Sequence, residues 1–177
     1  MMSIILVRVD DRLIHGQILQ AWLPSIKANE LLVPNDTLAA DETQRAIFES
    51  AIPRSTRLVI DTVERIAEIL LQSHDGRVRR MVIVEHLRDA LRLKRAGVPF
   101  QRLNLGNIRS AEGTLSLSRT VFVGRECLQS LREIVRAGVN VDLQTVPFEK
   151  PVDLFDAFRP LDPSVYRDFF PAEALRP

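Results

Sequence analysis

Uninterrupted apolar runs, each followed by apolar positions at helical spacing, set the rhythm of this chain. Ile4-Ile5-Leu6-Val7 does not alternate with polar residues, which marks a strand covered on both faces and predicts one over Ser3–Val9. Ile18, Leu19, Trp22 and Leu23 then share a face, predicting a helix over Gly16–Ile26 with Gln17 and Gln20 outward. The same alternation recurs. Strands are predicted at Leu31–Val33, Arg57–Ile60, Arg80–Val84, Gln101–Leu105 and Val139–Leu143, with shorter ones at Leu115–Leu117 and Thr120–Val123. Helices are predicted at Asp41–Ala51 (Ala46, Ile47 and Ala51 inward), Asp61 or Thr62 to Gln72, Leu87–Ala96 and Arg125–Ala137, with a last short one within Val152–Phe158. Asp41 reads as an N-cap, and Gly97 and Gly138 as helix stops. Strands and helices that alternate with short links predict an α/β fold: a single open, mostly parallel twisted sheet of about six or seven strands, helices on both faces.

Length and composition then narrow the class. A chain of 177 residues, 46% hydrophobic, supports one domain with a substantial core. We place that domain at 1–158, followed by a tail at 159–177 with four prolines and the aromatics Tyr166, Phe169 and Phe170. A net charge of +1 supplies no field favouring nucleic acid or an anionic membrane. Of the 24 basic residues 21 are arginine, which suits bidentate anion contacts, although a GC-rich coding bias is the plainer account. The single cysteine, Cys127, excludes a disulfide within the chain and a cysteine zinc site, and reads as a small core residue. Met1-Met2-Ser3 does not begin a signal peptide, and no apolar run reaches the roughly 18 residues of a membrane span. A cytoplasmic protein is therefore expected.

The chemistry concentrates in one turn. Arg8-Val9-Asp10-Asp11-Arg12-Leu13-Ile14-His15-Gly16-Gln17 crowds two carboxylates, two guanidinium groups and an imidazole between the first strand and the first helix. Backbone N–H groups at a helix start have no intrahelical partner and attract anions, an effect of roughly 0.3–1 kcal/mol at an exposed surface. A phosphoryl group on His15 would meet those donors, Gly16 would leave it room, and Arg12, with Arg8 as a second candidate, would neutralise it. Asp10 or Asp11 would accept from the other ring nitrogen or hold an arginine. A lone histidine at a helix start is more often a cap or a surface residue; the density of charge here argues for an anion site. Metal binding is weaker, because no second histidine lies near in sequence. Neither G-x-G-x-x-G nor G-x-x-x-x-G-K-[ST] is present. Ligands of open α/β sheets sit beyond the carboxyl ends of the strands, where the turns Asn35-Asp36, Glu85-His86 and Asn104–Asn107 should converge with this one.

The ten-residue turn closely resembles the active-site loop of the enzyme IIB component of the mannose–fructose–sorbose family of the bacterial sugar phosphotransferase system. Leu31-Leu32-Val33 with Asn35-Asp36 is similar to that family's second strand and acidic turn. Leu103-Asn104-Leu105-Gly106-Asn107 resembles its L-N-[VIL]-G-G stretch, with Asn107 at the usual second glycine. Ala137-Gly138-Val139-Asn140-Val141-Asp142-Leu143-Gln144 and Val146-Pro147 resemble its closing helix end and strand. The likeness spans about residues 3–157. It implies a phosphotransferase that needs neither metal nor organic cofactor. His15 would accept a phosphoryl group on Nδ1 from a IIA phosphohistidine and pass it to a sugar held by the membrane IIC/IID permease, which would also bring the protein to the inner membrane. Asp10, Arg12, His15, Gly16 and Gln17 match the loop, with Arg8 and Asp11 retained; Asp36, His86, Asn104, Gly106 and Asn107 are candidates for the site's edge. Glu85-His86 departs from the neutral or basic turn expected there, and His86 is either a partner of the site or an exposed turn residue. His74 is read as solvent-facing, and a homodimer is left open. Two other readings compete: a regulatory histidine phosphoprotein uncoupled from transport, and a plain ligand-binding α/β domain.

Overall fold

A computed structural model of the chain describes residues 4–72, 77–109, 111 and 114–166. The His74 turn and the last part of the tail lie outside the described residues. Strands β1 (Ile4–Asp10), β2 (Glu30–Pro34), β3 (Arg57–Asp61), β4 (Arg80–Val84), β5 (Arg102–Asn107), β8 (Asn140–Leu143) and β9 (Val152–Asp153) form one sheet in the order β3-β2-β4-β1-β5-β8-β9. Every pairing is parallel except β8 with the edge strand β9. β6 (Leu115–Ser116) and β7 (Phe122–Val123) make a separate antiparallel pair. The α/β architecture read from the apolar runs is the observed one.

Two cores explain why those runs do not alternate. Val7 and Val9 of β1, with Val82 and Val84 of β4, face the layer of α4 (Val63–Leu71), α5 (Leu87–Arg95) and α6 (Arg125–Arg136). Leu6, Leu31, Val33, Met81 and Ile83 face the first helix and the helices after β2. The first helix is irregular: Ile18–Trp22 is π-helical and α1 (Leu23–Ile26) completes it.

Several details differ from the sequence reading. A short helix, α2 (Asp36–Ala39), follows β2 where only a turn was expected; Asn35 caps it by accepting from the Leu38 amide. In α3 (Glu42–Ala51) the inward face is not Ala46, Ile47 and Ala51. Ile47 is 60% exposed, while Phe48 packs on the smaller core with Ile52 just beyond the helix. The correction follows from size: a phenylalanine offers far more apolar area than alanines, and the helix turns to cover it. Past residue 158, α7 (Leu154–Phe158) leads to α8 (Pro163–Tyr166), and Leu161 and Val165 rest against the larger core.

Candidate active site

β1 ends at Asp10, and the chain must turn sharply there to enter the first helix. Leu13 N–H donates to the Asp10 carbonyl at 2.9 Å, and Leu13 itself adopts a left-handed backbone, φ +51°. That conformation costs about 1–2 kcal/mol for a residue with a Cβ; burial of Leu13 and Ile14 in the smaller core holds it. His15 follows, its carbonyl accepting from the Ile18 and Leu19 amides, so its ring stands at the helix start.

Asp10 is the hub. It is wholly buried and accepts on both oxygens. Oδ1 takes Arg12 Nε at 3.0 Å and the Arg12 amide at 3.3 Å; Oδ2 takes Arg8 Nη2 at 2.9 Å, Arg12 Nη2 at 3.2 Å and His15 Nε2 at 3.2 Å. Burial by itself would raise its pKa, but the hydrogen bonds from His15 and Arg12 and the charge of Arg8 outweigh that and hold it at about 2. Asp10 is thus an ionised, acceptor-only group near neutral pH. In the neutral ring the hydrogen bond to Asp10 sets the tautomer, with the proton on Nε2 and the lone pair on Nδ1. Among the described residues Nδ1 has no hydrogen-bond partner, and the His15 side chain is 18% exposed.

Arg12 and Arg8 do different things. Arg12 is about one-third exposed, gives Nε and Nη2 to Asp10 and Nη2 also to Gln17 Oε1, and leaves Nη1 uncommitted among the described residues. Arg8 cannot serve as a second phosphate ligand, which corrects the sequence reading. Its side chain is fully buried, and its two terminal nitrogens are spent on fixed partners: Asn104 Oδ1, the Gln144 carbonyl at 2.7 Å, the Thr145 carbonyl at 3.2 Å and Asp10; Nε is buried with no partner among the described residues. Trp22 lies over it, ring centroid 4.8 Å from the guanidinium carbon, and donates its own Nε1–H to the Thr145 carbonyl. Gly106 also lies against it: a Cβ there would fall 1.8 Å from Arg8 Nη2. Arg8 is a buried strut that fixes Asp10 from below. Two guanidinium groups against one carboxylate leave one positive charge beside His15.

The remaining candidates separate. Asn104 belongs to the strut, held in turn by Asp142. Asp11 turns away from His15: it accepts from Asn107 Nδ2 and the Arg109 amide, tying the ends of β1 and β5 together. Asn107, at the second-glycine position, thereby has a definite role. Gly16 has open space where a Cβ would be. Asp36 is not at the edge of the site; it accepts from the Val63 amide and Arg92 and joins α2, α4 and α5. His86 is not in the His15 network either. It lies on the face of the sheet covered by α5 and α6, in a separate cleft with Glu85. Trp22, Gln144 and Thr145 were missed: Gln144 and Thr145 act through backbone carbonyls, which no side-chain pattern announces, and Trp22 reads as ordinary core.

A family profile described as "PTS system sorbose subfamily IIB component" matches residues 4–162. The chain belongs to that family. The N-acetylgalactosamine-specific phosphotransferase enzyme IIB component 2 of Escherichia coli (strain K12) is 33% identical over 155 residues, covering 88% of this chain and 98% of that protein. The sorbose-specific EIIB component of Klebsiella pneumoniae is 30% identical, covering 88% and 94%. The crystal structure of the IIBSor domain of the sorbose permease from Klebsiella pneumoniae superposes with a TM-score of 0.83 at 27% identity, covering 91% of this chain and 99% of that one. This IIB component is accordingly a phosphotransferase, a phosphocarrier subunit of sugar uptake. IIB components of this system work with IIA and IIC/IID partners. No helix among the described residues is long and apolar enough to cross a membrane.

Proposed function

We propose that His15 Nδ1 is the atom that carries the phosphoryl group, received from a IIA phosphohistidine and delivered to a sugar held by a membrane IIC/IID partner. The observation that carries this reading is the pairing of His15 Nε2 with buried, ionised Asp10, which leaves Nδ1 as the free nucleophilic nitrogen. The Nδ1 lone pair attacks phosphorus as the bond to the donor nitrogen breaks. The ring's developing positive charge is met by Asp10, which accepts from Nε2–H throughout. The equatorial oxygens are met by Arg12 Nη1 and by first-turn amides of the helix that begins after His15. In the second half-reaction a sugar hydroxyl attacks phosphorus, its proton passes to a base on the sugar-holding partner, and the bond to His15 Nδ1 breaks so that the ring leaves as a neutral imidazole. Two groups, Asp10 and Arg8, hold geometry and charge without touching phosphorus, so positioning dominates the rate. Docking on the permease brings the protein to the membrane surface.

The test is to incubate the protein with phosphoenolpyruvate, the general phosphotransfer proteins and a mannose-family IIA. The expected product is an acid-labile, base-stable adduct, assigned to Nδ1 by phosphorus NMR and absent in His15→Ala. No adduct, or phosphate on Nε2, overturns the proposal.

A further inference from the structure

A second cleft opens at the carboxyl edge of the sheet, on the face opposite the first helix. It encloses about 250 Å³ between the starts of α5 and α6. Its base is apolar: Val9, Leu87 and Ile108. Its rim carries Arg88, His86 and Arg109, the last paired with Asp11, and also the acids Glu85 and Glu126. Both helices begin without a side-chain cap, α5 after His86 and α6 after Gly124. The amides of Leu87, Arg88, Glu126 and Cys127, all residues of the cleft, are therefore first-turn donors with no intrahelical acceptor. An independent observation points the same way. Ser130, on the inner side of α6, is more than nine-tenths buried and lines this cleft, and its hydroxyl has no hydrogen-bond partner among the described residues.

The donors and acceptors together define a ligand. Two converging helix starts with an arginine beside them favour a dianionic group such as a phosphate. Glu85, whose Oε2 already accepts from Asn35 Nδ2, and Glu126 repel a bare anion, but keep lone pairs that accept from hydroxyl groups. An apolar base suits the C–H face of a sugar ring. We propose that this cleft binds a polyhydroxylated phosphate monoester of sugar-phosphate size, phosphate toward the helix starts and hydroxyls toward the two glutamates. The site is distinct from His15 but joined to it: Asp11 lines the cleft, and the preceding residue is Asp10. Occupancy would be felt at the hub through one peptide unit, which makes the cleft a means for the phosphorylated product of uptake to act back on the carrier.

The experiment is amide chemical-shift mapping on the intact chain. The probes are glucose, mannose, fructose and N-acetylgalactosamine 6-phosphates, with inorganic phosphate and the free sugars as controls. At least one sugar phosphate should shift residues 86–88 and 124–130 saturably, more tightly than inorganic phosphate, and Arg88→Gln and Ser130→Ala should each weaken it by about tenfold without changing the rest of the spectrum. His15→Ala should bind it equally well, so the outcome does not depend on the phosphohistidine. No saturable shift with any of the four, shifts confined to the His15 loop, or inorganic phosphate binding as tightly as every sugar phosphate would each overturn the proposal.

Discussion

Replacing Gly106 by alanine puts a carbon 1.8 Å from Arg8 Nη2 and 1.9 Å from its Cζ, inside any contact distance. The guanidinium has nowhere to retreat. Trp22 covers one face, and Asn104, Gln144, Thr145 and Asp10 fix its two terminal nitrogens. Either β5 moves away from β1 or Arg8 abandons its partners and remains a buried, uncompensated charge. Breaking a buried ion pair in this way costs about 3–5 kcal/mol, a large part of the roughly 5–15 kcal/mol that stabilises a domain. For a chain of this length each kcal/mol moves Tm by about 2–4 °C, so the midpoint should fall by about 6–20 °C. Urea unfolding at neutral pH, followed by the fluorescence of the single tryptophan, Trp22, measures the loss directly. The cause is isolated by repeating the change in Arg8→Met, where the flexible side chain can yield: the cost of Gly106→Ala should drop by at least about 2 kcal/mol, a coupling typical of residues in contact. A loss below about 1 kcal/mol in the native background, or strict additivity in the double variant, would refute the account of Gly106 as the space for Arg8.

Four further outcomes are expected. Asp10 is held at about 2 against an ordinary 3.8, so its contribution, roughly 2 kcal/mol, is complete above about pH 4 and is lost as pH falls through 2; acid titration of unfolding should show this, and the slope should be shallower in Asp10→Asn. Arg12→Ala should slow phosphorylation by about a hundred- to a thousandfold in quenched-flow experiments, in line with loss of one donor to the transferred group, with Tm changed by only a few degrees because the side chain is partly exposed. His86→Ala should leave that rate unchanged within a factor of about two, since His86 lies outside the His15 network; a larger fall would place it in the transfer step. Gly16→Ala should stabilise the protein by up to about 1 kcal/mol, because its Cβ enters open space in a helical turn; destabilisation in thermal unfolding would contradict that geometry.

What could be read along the chain was whatever repeats or clusters locally. The β4 run Met81-Val82-Ile83-Val84 announces a doubly covered strand, and its residues are divided between the two cores. The density of charge from Arg8 to His15 likewise announces a site. The division of labour within that cluster could not be read, because it is set by what lies across the sheet. Asp10 and Asp11 are adjacent and chemically identical, yet strand alternation sends one beneath His15 and the other toward Asn107 and Arg109. Arg8 and Arg12 look interchangeable as phosphate ligands until Asn104, Gly106 and two carbonyls just past β8 claim the first of them. Asp36 carried the right chemistry for a site edge and was taken instead by Arg92 and the start of α4.

The hydrogen bond from Arg8 to the Gln144 carbonyl spans 136 positions of sequence, and it gives the site a birth order. During synthesis His15 and its whole charged loop leave the ribosome first, while the carbonyls that complete the floor, those of Gln144 and Thr145, lie just past the last parallel strand. Until β8 docks against β5, Arg8 lacks two of its acceptors and Asp10 lacks a fixed neighbour. A fragment that ends before residue 144 contains every side chain of the His15 loop and still lacks a finished cradle. The floor under Asp10 is therefore finished only after β8 and the two residues that follow it have been made and docked.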